Sequence, residues 1–137
     1  MSHFDEFRAA ADKVLSPFLA PHGFRREPSL EETDLLLASV VYVGKHVGLR
    51  FVYDVREDSV TDEVVRVENG AIKDFTHGGY SKGLFSHLVK HAGYRGGQHR
   101  NPRPPGMPRM EREFALWVDI LTVAGQTLLA DQPNSLP

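Results

Sequence analysis

Between Leu35 and Val67 the chain carries three apolar runs separated by only two short turn signals, and this restricts the fold more than any other feature. Leu35 to Val43, interrupted by Ser39, is apolar on both faces, which predicts a strand covered on both sides. In the second run Leu49, Phe51, Tyr53 and Val55 alternate with Arg50, Val52, Asp54 and Arg56, the pattern of a strand with one wetter face. Val65 and Val67 alternate with Arg66 and Glu68 in the third. Val60 has the opposite parity, so a bulge or break is expected near Thr61-Asp62. The links Gly44-Lys45-His46 and Glu57-Asp58-Ser59 are too short for a crossover, so neighbouring strands run antiparallel. Asn69-Gly70 supplies the turn that closes the meander.

A sheet with apolar faces needs helices to cover it. Phe4, Phe7, Ala11, Val14, Leu15 and Phe18 recur at helical spacing, with Pro17, Pro21 and Gly23 marking the helix end. A short strand is expected around His22 to Arg26, interrupted by Pro28. Ser81 can cap a helix whose buried stripe is Leu84, Phe85, Leu88, Val89 and Ala92, and Gly93 ends it. A last helix is expected from Met110 to Leu129, with Phe114, Trp117, Val118, Leu121 and Leu128 on one face. The reading is α+β, in the order α-β-β-β-α-α. An antiparallel meander of three to four strands is packed against one N-terminal and two C-terminal helices. One domain spans residues 1–137, with Asp131 to Pro137 expected to fray.

The chain has no cysteine, which excludes disulfides, thiolate metal sites and cysteine nucleophiles and leans towards a reducing, cytoplasmic setting. Acids stand where a signal peptide would carry bases, and no apolar stretch approaches the ~20 residues a membrane helix needs. Net charge is −2, but its distribution is uneven. No acid occurs from Phe75 to Met110, where Lys82, Lys90, Arg95, Arg100, Arg103 and Arg109 lie. Acids exceed bases from Met1 to Asp74.

His77-Gly78-Gly79-Tyr80-Ser81-Lys82-Gly83 contains the nucleophile-elbow pattern G-x-S-x-G. Chain order excludes a triad of that type, because no acid followed by a histidine comes after Ser81. The same glycines could cradle a phosphate at a helix start, but a loop entering a helix accounts for them. His87 and His91 share a helix face without a third ligand, so they read as solvated histidines and no metal or other cofactor is assigned. No catalytic residue is assigned.

Two segments are candidate partner-binding surfaces. Tyr94 to Arg109, rich in Pro and Gly, carries Tyr94, Arg95, Arg100, Arg103 and Arg109. A structureless loop of that length is either a binding element or a strap across the surface. Glu57, Asp58, Asp62 and Glu63 crowd the turn between the second and third strands, either as a solvated hairpin end or as a patch steering a basic protein.

Phe7 to Phe24, with Val14-Leu15-Ser16-Pro17-Phe18-Leu19 and then His22-Gly23-Phe24-Arg25-Arg26, followed by the apolar strand and the strand Leu49 to Arg56, resembles a known group. These are small bacterial proteins of unknown function grouped with the immunity proteins of toxin systems. The resemblance covers about half of the chain and brings no site residue. It implies a non-enzymatic protein-binding module that blocks a toxin domain. The alternative from the residues is a binder of a small anionic ligand or nucleic acid through loop 94–109.

Overall fold

The computed structural model describes residues 2–73, 79–96 and 103–137. Helix α1 spans His3–Leu19, with the Ser2 hydroxyl accepting from the Asp5 N–H at 3.1 Å as its N-cap. Pro17 lies within the last turn, so the helix outlasts it by two residues. The strands are β1 (Arg25–Arg26), β2 (Leu37–Val43), β3 (Val47–Asp54), β4 (Ser59–Glu68), β5 (Ala71–Ile72) and β6 (Ser81–Gly83). Helices α2 (Leu84–Ala92), α3 (Arg109–Ala124) and α4 (Gln126–Leu129) follow. The architecture is α+β, and every strand pairing is antiparallel.

The sheet runs β1-β2-β3-β4, with β5 and β6 both on the far side of β4. Ile72 stands opposite Val67 and Ser81 opposite Val65, seven positions later than an unbroken strand from Ile72 would reach. β5 and β6 thus line the same edge of β4 as two separate short strands. Asn69 and Gly70 both have positive φ, 54° and 78°, as a two-residue hairpin turn between β4 and β5 requires.

Helices α1 and α3 pack together over one face of the sheet. Phe7 of α1 stacks on Tyr53 at 5.8 Å and meets Phe114 of α3 at 5.5 Å; Phe51 touches Phe114 edge-on at 5.7 Å. Such aromatic contacts contribute about 0.5–1.5 kcal/mol each beyond area burial. A smaller apolar cluster on the opposite face joins Val41, Val43 and Val67 with Leu30 and Ile72.

That second cluster removes the need for a bulge. β4 pairs with β3 in one register from Ser59 to Arg66 without a break at Thr61-Asp62. Val60 and Val64 face the helices, while Val67 joins the cluster behind the sheet, so both parities are apolar for a reason. Three more expectations need correction. β2 begins at Leu37, leaving Leu35 and Leu36 in a loop. The last helix is divided at Gly125. The tail packs back instead of fraying: Ser135 and Leu136 are buried, the Ser135 hydroxyl donates to the Thr127 carbonyl at 2.7 Å, and Arg66 donates to the Pro137 carbonyl.

Two carboxylates hold distant segments to the sheet. Glu31 accepts from Arg26 Nε and one terminal nitrogen, at 2.7 and 2.8 Å, and from the Val41 N–H at 3.1 Å. Asp131 accepts from three successive N–H groups of the β2–β3 turn, those of Lys45, His46 and Val47, at 2.5, 2.7 and 2.9 Å. A Cβ at Gly44 would stand 2.5 Å from the Asp131 carboxylate, so only glycine leaves room for this clamp. Hydrogen bonds to a charged group are worth about 1.5–3 kcal/mol. Asp131→Ala is therefore expected to lower unfolding free energy by about 2 kcal/mol in urea denaturation; a change below about 0.5 kcal/mol, the ordinary surface value, would refute the clamp.

Candidate functional site

The two candidate surfaces meet in space. The β3–β4 turn presents Asp58 with φ of 48°, an uncommon backbone state for a residue other than glycine. Its carboxylate accepts from the Tyr53 hydroxyl at 2.7 Å and from Arg109, whose other terminal nitrogen donates to the Asp58 carbonyl at 2.5 Å. Tyr53 first, then Arg109, hold the Asp58 carboxyl below the usual carboxylate range. This junction borders a groove of about 600 Å³ between α1 and the start of α3, floored by Ala9, Ala10 and Met110. Two cations of its walls are already matched, Lys13 with Glu111 at 2.9 Å and Arg109 with Asp58.

The other predicted residues are dispersed. Arg103 pairs with Asp119 on α3 and fastens that end of the loop to the helix. Tyr94 is buried, with its ring edge-on to Phe85 at 5.7 Å, and Arg95 is exposed. Arg100 lies outside the described residues, as do His77 and Gly78 of the glycine motif. Glu57 is exposed, whereas Glu63 pairs with Arg50 and accepts from the Ser81 hydroxyl at 2.8 Å. Tyr94, Arg103 and Arg109 thus each have a partner within the chain, as do Asp58 and Glu63 of the acidic turn.

Ser81 does not cap α2. It belongs to β6, and its hydroxyl proton points to a carboxylate rather than a histidine. The start of α2 is held by Asp62, whose carboxylate accepts from the N–H groups of Leu84 and Phe85 across the sheet edge. Burial raises the Asp62 carboxyl to about 6 in spite of those bonds.

On α2 itself Leu84 and Leu88 enter the core, but Phe85 and Val89 are 49% and 46% exposed, so the expected single stripe is divided. His87 is not solvated: it is 3% exposed, and its Nδ1 is hydrogen-bonded to the Tyr80 hydroxyl at 2.8 Å. Burial, with His91 and Lys82 nearby, pushes its imidazole down to about 4. The His87 and His91 rings lie 4.8 Å apart, and the described residues hold no group of three or more histidines and carboxylates suited to a metal. Among the described residues no helix is long and apolar enough to cross a membrane.

Sequence reasoning missed Leu35, which is 93% exposed, although Asp34 just before it is a turn-forming residue. It also missed Asp131, whose partners lie more than eighty positions away. No family model, curated protein or solved structure matches the chain.

Asp62 and His87 respond to acid in opposite ways. His87, about 4 when folded against 6.5 ordinarily, stays neutral while the unfolded chain takes up a proton; its contribution is lost as pH falls from 6.5 towards 4. Asp62, about 6 when folded against 3.8, keeps its proton longer in the fold; its contribution is present at low pH and lost as pH rises through 6. Urea unfolding across this window should show Asp62→Asn losing stability on acidification more steeply than the parent chain, and His87→Phe less steeply. Parallel slopes in all three proteins would contradict both assignments.

Proposed function

We propose that the chain is a non-enzymatic protein-binding module that docks through the outer side of α2. The observation that supports this is the second apolar face of a nine-residue helix. Phe85 and Val89, one turn apart, stand half exposed while Leu84 and Leu88 are already buried on the other side. Tyr94 packs edge-on against Phe85 and restricts its ring, which lowers the entropy lost on docking. Aromatic side chains seated this way are typical anchors of protein interfaces.

Charge selects the partner. Lys82 and Lys90 flank the apolar pair in sequence, and no acid occurs between Gly79 and Gly96. A partner face with carboxylates around an apolar pocket fits such a rim. A toxin domain as that partner, blocked in the manner of an immunity protein, rests on the resemblance of the N-terminal half. The anionic-ligand alternative loses ground, because Arg103 and Arg109 already have carboxylate partners within the chain.

The test replaces Phe85 and Val89 together by Ser. The variant should keep a melting temperature within a few degrees of the parent, since half-exposed side chains contribute little to folding. A protein captured from the producing cells by the parent chain should be lost from the variant, and its retention should weaken as salt is raised. Identical capture by both chains at matched folded fraction would refute the docking face.

A further inference from the structure

We propose that the loop from Glu31 to Leu36 is a second docking surface, preformed for a segment of a partner protein that carries apolar side chains beside lysines or arginines. Leu35 is 93% exposed and Leu36 is also exposed, so neither owes its place to the core. A single exposed leucine is ordinary on a protein surface. What sets this one apart is how firmly its loop is held.

The Asp34 carboxylate accepts from the N–H groups of Leu36 and Leu37 at 2.7 and 2.8 Å, while the Asp34 N–H donates to the Leu37 carbonyl at 2.9 Å. The Glu32 N–H donates to the Ser39 hydroxyl at 2.8 Å, and Thr33 forms a bridge with Ala38. From α1, one terminal nitrogen of Arg8 reaches the Glu32 carbonyl, the Thr33 hydroxyl and the Ser39 carbonyl at 3.1, 2.6 and 3.2 Å. The backbone on both sides of Leu35 is therefore fixed before any partner arrives, and little order remains to be lost on binding.

The surroundings set the sign of the partner. Glu32, Asp34 and Glu57 are exposed acids. Arg56, the basic residue beside them, is already taken by Asp54, with nitrogens at 3.1 and 3.3 Å from the carboxylate. A shallow groove of about 250 Å³ continues from the loop across the sheet, bordered by Glu32, Leu37 and Val52, with Arg50 in its wall paired to Glu63. An apolar side chain can lie there while basic neighbours meet the acids. The charge is opposite to that of the α2 rim, and the loop borders β2 while α2 follows β6. Those strands are three spacings apart, roughly 14 Å. The inference is thus independent of the α2 reading.

A displayed random-peptide library selected on the full chain tests it, with Leu35→Ser and Phe85→Ser chains run in parallel. Enriched peptides should combine Lys or Arg with aliphatic or aromatic residues, and their affinity should fall as salt is raised. Leu35→Ser, folded by its unchanged melting temperature, should weaken them roughly tenfold, the value of one buried leucine; Phe85→Ser should leave them unaffected. Amides of Leu36 and Leu37 should exchange slowly in the free chain. No enrichment, acid-rich peptides, indifference to Leu35→Ser or fast exchange of those amides would each overturn the proposal. Peptides lost only in Phe85→Ser would also overturn it while upholding α2.

Discussion

The buried carboxylate of Glu31 determines how this chain enters its sheet. β1 pairs with β2 only at Tyr42 and Val43, and Thr33 rejoins it at Ala38. Between these points the Val41 N–H lacks a strand partner, and Glu31 supplies the missing acceptor. A carboxylate only 5% exposed is unstable unless its charge is matched and its lone pairs are filled. Arg26 does both with two parallel hydrogen bonds and also reaches Asp12 on α1 at 2.8 Å. Arg8, one turn earlier on α1, secures the same segment. One acid thereby fixes α1, β1 and the edge of β2 relative to one another, and the position of the Leu35 loop follows from it.

The uneven charge of the chain follows a similar logic. Its acid-rich first half and basic segment look like two independent surfaces when written in a line. In the fold they meet at one point, where Arg109 reaches Asp58, 51 positions away, and a second ion pair, Lys13 with Glu111, ties α1 to α3 beside it. Exposed ion pairs add little to stability, with a median near 0–1 kcal/mol. Their value here is positional. Arg109 fixes the start of α3 at the β3–β4 turn, and α3 then brings Phe114 and Trp117 onto Phe51.

Elements defined by local rules were readable from sequence. Alternation marked β3, Asn69-Gly70 marked the hairpin, and helical spacing with Gly93 marked α2 and its end. Features set by distant partners were not. Leu35 and Leu36 look like the start of a buried strand because their neighbours are apolar, and only the Asp34 turn removes them from it. Ser81 has the composition of a cap, but Asp62 from β4 already occupies the helix start. The tail looks frayed by composition, and its order comes from the turn that Asp131 clamps. Of the candidate site residues, Arg103, Arg109 and Asp58 make ion pairs within the chain, with partners that no local pattern identifies. Phe85 and Val89 were assigned to the core because a helical wheel cannot show that Leu84 and Leu88 suffice to fill it.

The exposed groups proposed to bind share one property: each sits on backbone fixed by something else. Asp62 anchors the first turn of α2, and Tyr94 leans on Phe85. Arg8 and Asp34 hold the loop that carries Leu35. Solvated apolar side chains on mobile segments need no explanation beyond mobility, because they lose order whenever they bind. On a fixed frame the same side chains are presented to a partner in advance, and the ordering free energy is already met by folding. The opposite charges around the two frames then prevent one partner face from fitting both, since a rim that attracts at α2 repels at the Leu35 loop.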